Sequence, residues 1–205
     1  MALVMYQPTW LNTKITANHQ PSPATNASAI NSPVTNIPAI NLPAIKQWSA
    51  IKLFYRQHMP YARLAQKESV AVIHHLSSST IDGTDDIDDI DDIDEVDISQ
   101  QKIIAAIRVK PIGQYQLING LLVHPDYRGQ QLSTQLLKFI APQLITKNCF
   151  LFAHPWLIDL YQQQHFIVID QHDLSAIPAD IIQLYRRYYS EQRPLVLMQL
   201  NEPDK

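Results

Sequence analysis

Glycine is scarce in this chain of 205 residues, with four in all, at positions 83, 113, 120 and 129. Any anion-binding turn must therefore be built mostly from residues that carry side chains. There is one cysteine, Cys149, which excludes an internal disulfide and fits a reducing compartment, so a cytoplasmic protein is expected. No run approaches the roughly 18 apolar residues that a membrane span needs. The amino terminus MALVMYQPTW has no basic segment leading into a long apolar one, so no secretory signal is expected. Clustered Lys/Arg stripes, helix-turn-helix patterns and zinc spacings are also missing, which argues against a nucleic-acid partner and a metal site.

Negative charge is concentrated in one segment. Residues 82–97 hold ten acids and no base; without them, nine acids face sixteen bases, a body of charge +7. A basic body suits a polyanionic small ligand such as a nucleotide or coenzyme A. The acidic segment IDGTDDIDDIDDIDEVDISQ is a repeated Asp-Asp-Ile unit. Its carboxylates are hard-metal ligands, but the order of a calcium loop is absent. It reads as a solvated, self-repelling insert at 80–100 between two strands.

Residues 1–44 carry six of the fourteen prolines among Asn, Ser, Thr and Ala. They read as a loosely ordered leader with room for a short strand. From 45 onward the pattern is that of one folded domain, 45–205. Trp48, Ile51, Phe54 and Tyr55 recur at helical spacing, and Pro60 marks the end of that helix. A short second helix is expected around YARLAQ, then strands at 70–76, 102–109 and 114–123. The last contains Gly120 within apolar sequence, a signal for a bulge or a close backbone approach. A helix follows from 132 with Leu132, Leu136, Leu137 and Ile140 on one face, broken near Pro142. Strand 148–155, helix PWLIDLYQQQ, strand 166–170, helix IPADIIQLYRRYYSE and strand RPLVLMQL complete the order. The three early strands should form an antiparallel meander. The two flanking the 132–145 helix should be parallel, because a helical crossover joins them. The expected class is α/β (α+β): a mixed, mostly antiparallel twisted sheet with helices on both faces.

Chemistry concentrates in HPDYRGQQLSTQLL, 124–137. A strand enters it and a helix leaves it. The first N–H groups of that helix are unpaired and carry partial positive charge, which suits phosphate. Arg128 adds a charged fork, Gly129 lets the backbone come close, and Ser133 and Thr134 offer hydroxyls. Gln131 can donate its N–H as well as glycine provided its φ stays negative.

With the meander before it, this stretch resembles the GNAT superfamily of acetyl-CoA-dependent N-acyltransferases, over about 45–200. The family turn, Arg/Gln-x-x-Gly-x-Gly/Ala after a strand ending in Val-x-Pro, corresponds here to Val123-His124-Pro125 followed by Arg128 to Ser133. Gln131 stands at the first family glycine and Ser133 at the small final residue. A second motif, Asn-Pro…Phe-Tyr-x-x-x-Gly-Phe, corresponds to HPWLIDLYQQQHF. His154 stands for Asn and His165 for Gly, while Tyr161 and Phe166 match. The resemblance implies acetyl-CoA as co-substrate, an amine acceptor and no metal. Leu121, Leu122 and Val123 would pair with the pantetheine arm. Arg128, Gly129, Gln130, Gln131, Leu132, Ser133 and Thr134 would hold the pyrophosphate, with His154 close to the coenzyme. The Val123 N–H would face the oxyanion, and Tyr161 would protonate the leaving thiolate. Apart from the resemblance, Tyr161 also fits as a core aromatic beside Leu157 and Leu160. Cys149 reads as inert packing in a buried strand. Strand 114–123 has no Asp or Glu, so the base stays open among water, His124, His154 and an amine that arrives neutral. His74 and His75 alternate on one strand, so one alone can face a cleft. The acceptor is open between a small molecule and a peptide, and a homodimer is compatible. The alternative reading is a coenzyme A-binding sensor or interaction module with weak catalysis.

Overall fold

The computed structural model describes residues 6–11, 44–76 and 101–202. The acidic repeat and most of the Pro-rich leader lie outside those residues. Seven strands form one sheet in the order β1-β2-β3-β4-β5-β7-β6. They are β1 Pro8–Trp10, β2 Ser69–Leu76, β3 Gln101–Ile112, β4 Tyr115–Val123, β5 Cys149–Ala153, β6 Phe166–Val168 and β7 Val196–Leu200. The helices are α1 Ala44–His58, α2 Leu132–Ile140, α3 Ile158–Gln162 and α4 Ala179–Tyr188.

The expected meander is present: β2, β3 and β4 pair antiparallel, and β4 pairs β5 in parallel through the α2 crossover. The short strand allowed for in the leader is β1, which pairs antiparallel with β2 and precedes the buried Leu11. Helix α2 stops at Ile140, and a 3-10 turn carries Pro142, whose ring cannot continue the helical ladder. The helix expected around YARLAQ does not form. Residues 60–68 run as turns and extended chain, because the Arg63 carbonyl is drawn out to accept from Arg108 Nη1 at 2.9 Å. That bond takes the carbonyl away from any helical ladder.

Two apolar layers sandwich the sheet. On one face Leu132, Leu136, Leu137 and Ile140 of α2, with Tyr161 of α3, pack on Ala71, Ile73, Ile107 and Ile118. On the other, Ile51, Phe54 and Tyr55 of α1 cover Val70, Val72 and Ala106, and Ile181 of α4 covers Leu117, Phe150 and Leu197. Alternation along each strand (70 and 72 one way, 71 and 73 the other) assigns the two faces. Among the described residues no helix is long and apolar enough to cross a membrane.

Candidate active site

The centre of the sheet is split. β4 and β5 pair only over Gln116–Ile118 against Cys149–Leu151. On its other edge β5 pairs with β7 from Phe150 to Ala153, so beyond Leu151 it keeps β7 but not β4. The facing edge of β4 is left unpaired. A bulge produces the divergence. Ala106 pairs with Leu122 but Arg108 with Asn119, so Ile107 opposes both Gly120 and Leu121. Gly120 has φ +61, a conformation glycine enters without a Cβ penalty. The bulge expected at this glycine is where the strands part.

Three side chains hold the bulge, and sequence reasoning did not find them. Tyr55 donates its hydroxyl to the Gly120 carbonyl at 2.6 Å. Arg108 lies over the Tyr55 ring, 4.9 Å from its centroid, and donates through Nη1 to Glu68 Oε2 at 3.0 Å. A Cβ on Gly120 would stand 2.5 Å from Arg108 Nε, so the missing side chain makes room for the guanidinium. Glu68 and Arg108 are the two buried charged residues among those described. Burial raises the Glu68 pKa, while Arg108 and Lys110 oppose the shift. Arg108 Nε is buried without a partner. The one legible signal for this network was an arginine inside the apolar run KIIAAIRV.

The split opens into a cleft of about 300 Å³ that reaches both faces of the sheet. Ala153, His154, Leu157 and Tyr161 line the α2/α3 side, and Met59, Glu68 and Arg108 the α1/α4 side. Tyr161 is buried, with its ring edge-on to Phe166 at 6.2 Å. It is thus both a core aromatic and a wall of the cleft. Burial pushes its pKa up to about 12, so the phenol keeps its proton at neutral pH. Cys149 is fully buried and its thiol is likewise pushed up to about 12 by burial, which fits inert packing. His154 lines the cleft, stacks on the exposed Trp156 at 4.4 Å, and has an unpartnered buried Nδ1.

At the end of β4 the chain enters a 3-10 turn at Pro125–Tyr127 and then α2. The N–H of Arg128 bonds Pro125 O, and the next loop bond is Gln135 N–H to Gln131 O. The N–H groups of Gly129 through Thr134 lie between and make no backbone bond among the described residues. Arg128, Gly129, Gln130 and Gln131 are exposed, Ser133 and Thr134 half-buried, and Leu132 is anchored in the core. This row of donors at a helix start fits a pyrophosphate. The condition set for Gln131 is not met: its φ is +57, left-handed. His165, at the other family glycine, has φ +63. The backbone keeps a glycine-like course at both positions with side chains attached.

On β4, the His124 N–H donates to Ile104 O of β3. Successive N–H groups in a strand point to opposite edges, so the Val123 N–H points away from β3, to the unpaired edge. His124 Nδ1 accepts from the Asp126 N–H at 3.3 Å, and the ring packs on His58 at 4.7 Å and Tyr127 at 5.6 Å. It serves the turn. His74 and His75 are both half-buried, and His75 packs against Tyr6 and Tyr127 instead of the cleft.

Comparison with known proteins agrees with this geometry. Residues 93–168 match the model of the acetyltransferase (GNAT) domain, a span that runs from the end of the acidic segment through β6. Among solved structures, Escherichia coli ElaA is 12% identical, with a TM-score of 0.52 over 96% of this chain and all of that one. N-acetylglutamate synthase of Neisseria gonorrhoeae, solved with coenzyme A and N-acetyl-glutamate, is 13% identical, at a TM-score of 0.46 over 79% of this chain and 34% of that one. The ribosomal-protein-S18-alanine N-acetyltransferase of Escherichia coli is 12% identical, at 0.40 over 82% and 83%. No curated protein matches the chain by sequence. Residues 93–168, which include the parted strands, thus resemble a GNAT acetyltransferase domain, and the mixed seven-stranded sheet shares its fold with the solved neighbour of TM-score 0.52.

Proposed function

We propose that the protein moves an acetyl group from acetyl-CoA to a primary amine by direct attack. The observation that carries this reading is the unpaired edge of β4 facing β5, with the Gly129–Thr134 N–H row at one end and Tyr161 in the wall. The pantetheine arm extends along Leu121, Leu122 and Val123 as an added strand. The pyrophosphate sits on the residues from Arg128 to Thr134, and His154 borders the arm. The amine nitrogen attacks the thioester carbonyl, whose oxygen takes the Val123 N–H. The C–S bond then breaks, Tyr161 gives its proton to the thiolate, and the proton shed by the attacking nitrogen passes to water, from which the phenol is reprotonated.

That last step is uphill for an ordinary thiol of pKa about 8.5. Burial narrows the gap, because a thiolate leaving in the same desolvated cleft becomes more basic too. Burial shifts the Cys149 thiol on β5 in the same direction. The domain is 45–205 with the acidic insert at 80–100 and a leader before it, working in the cytoplasm. Titration calorimetry with acetyl-CoA and dephospho-CoA tests the cradle. Saturable one-to-one binding weakened by Arg128→Ala supports it, and no binding at millimolar acetyl-CoA sinks it. Retained binding without thiol release on a broad amine panel would favour a coenzyme A-binding module, a reading that Gln131 at φ +57 keeps in view.

A further inference from the structure

The α1/α4 side of the cleft has an excess of positive charge that acetyl transfer alone does not require. Its charged lining is Arg63, Glu68, Arg108, Lys110 and Arg193, four bases against one acid. Glu68 is spent on Arg108 at 3.0 Å. Lys110 and Arg193 have no carboxylate within ion-pair distance among the described residues. The Arg193 guanidinium lies over Tyr61, 4.8 Å from the ring centroid, and Tyr61 and Tyr188 rim the opening. Arg108 Nε is buried at the same wall with its hydrogen-bonding capacity unused.

These cations are distant from the coenzyme's phosphates. Lys110 pairs with Leu117, and the turn that receives the pyrophosphate begins at His124, roughly 20 Å further along at 3.3 Å per residue. An acceptor bearing only ammonium groups would enter against this field. An acceptor with its own anion would relieve the mutual repulsion of the bases and be oriented by it.

Resting on the acetyltransferase reading, we infer that the acceptor is an amine that also carries a carboxylate, with the carboxylate held by Arg193 and Lys110. The same field supplies what the sequence left open. Positive neighbours disfavour an ammonium, so the amine of the bound acceptor loses its proton more readily. A carboxylate anchor thus positions a nitrogen that the cleft itself keeps nucleophilic, and no dedicated base on β4 is required.

The test uses the full-length protein saturated with coenzyme A. Free L-amino acids and ω-amino acids are compared with their carboxamides and decarboxylated amines, by thermal shift and then calorimetry. Carboxylates should bind at least about 10-fold more tightly than the matched carboxamides, the difference a well-formed charged contact makes. Arg193→Gln should bring the two within about 3-fold, and Lys110→Gln should narrow the gap on its own. Equal binding of acids and amides, binding by no member, or a preference that survives both substitutions overturns the inference. Acetyl-CoA affinity measured on the same samples separates the two readings. Normal affinity without carboxylate preference removes the acceptor assignment alone, and absent affinity removes the transferase reading while the carboxylate result stands.

Discussion

Replacing Gln131 and His165 with glycine should stabilise the protein. Both residues stand in the left-handed region, at φ +57 and +63, where a side chain costs roughly 1–2 kcal/mol relative to glycine. Their positions are fixed by bonds that do not involve the side chains. Gln131 O accepts the Gln135 N–H at 3.0 Å; the His165 N–H reaches Gln162 O at 3.0 Å and its carbonyl accepts from Asn201 at 2.9 Å. Both side chains are exposed, so little packing is lost. Against the gain stands the wider freedom of glycine in the unfolded chain, about 0.5–1 kcal/mol. The net is about +1 kcal/mol for Gln131→Gly and about +0.5 for His165→Gly, since histidine tolerates this region better. For a chain of this size that corresponds to a rise in Tm of about 2–4 °C and 1–2 °C. Gln131→Ala keeps the Cβ and should gain nothing. Differential scanning calorimetry decides: if either glycine variant melts lower than the parent, left-handed strain is not what these positions carry. Gln131→Gly should also bind acetyl-CoA at least as tightly, because the N–H stays and the side chain beside the pyrophosphate goes.

Tyr161→Phe should lower kcat by about 10²–10⁴-fold with acetyl-CoA affinity nearly unchanged. Because burial raises the phenol to about 12, the parent's rate should show no falling limb up to pH 10, and a falling limb near pH 9 would exclude Tyr161 as the acid. Gly120→Ala should cost about 2–3 kcal/mol in urea unfolding, from positive φ and the contact with Arg108 Nε; a loss below about 1 kcal/mol would mean that the bulge relaxes. His58 has its pKa lowered by burial and by His124, Lys102 and Arg128, so the unfolded chain binds its proton more readily. Its contribution is complete above the unfolded value near 6.5 and is lost as pH falls through the lower folded value. His58→Phe keeps a ring beside His124 and should flatten the stability loss below pH 6.5; an unchanged acid slope would assign it to other groups.

Much of this fold was legible because local rules and the tertiary structure agree. Period-two strands, the crossover around α2 and the lone glycine in β4 each specify one arrangement, and the bulge formed where Gly120 stands. The candidate site could be placed on the sequence where a motif is continuous, at Arg128–Thr134 and from His154 to Phe166. Three things were not. The sign of φ at Gln131 could not be read, because intrinsic preference gives glutamine a negative φ and only the chain's path imposes the other. Residues 61–66 have helical composition, yet a buried arginine more than forty positions later claims the Arg63 carbonyl. The Glu68–Arg108 pair joins residues forty apart, a distance over which no periodicity carries information.

The last two are connected through the bulge. The left-handed turn at Gly120 makes room for Arg108, and Arg108 holds Glu68 and the 60–68 segment that walls the α1/α4 side of the cleft. The same bulge parts β4 from β5 and turns Val123 toward the gap. The unpaired edge of β4 and the charged wall of the cleft therefore depend on one irregularity in one strand. An arginine there with no glycine opposite would have nowhere to lie, and a glycine with no arginine would leave the Tyr55 ring without its cation and Glu68 as an unpaired buried charge, a loss of about 3–5 kcal/mol. Glu68→Gln in an Arg108→Met background should thus restore part of the stability that Arg108→Met alone removes, because the buried negative charge is gone. If the double variant is no more stable than the single one, the cost of losing Arg108 lies in packing on Tyr55 and in the bulge, not in the charge left on Glu68.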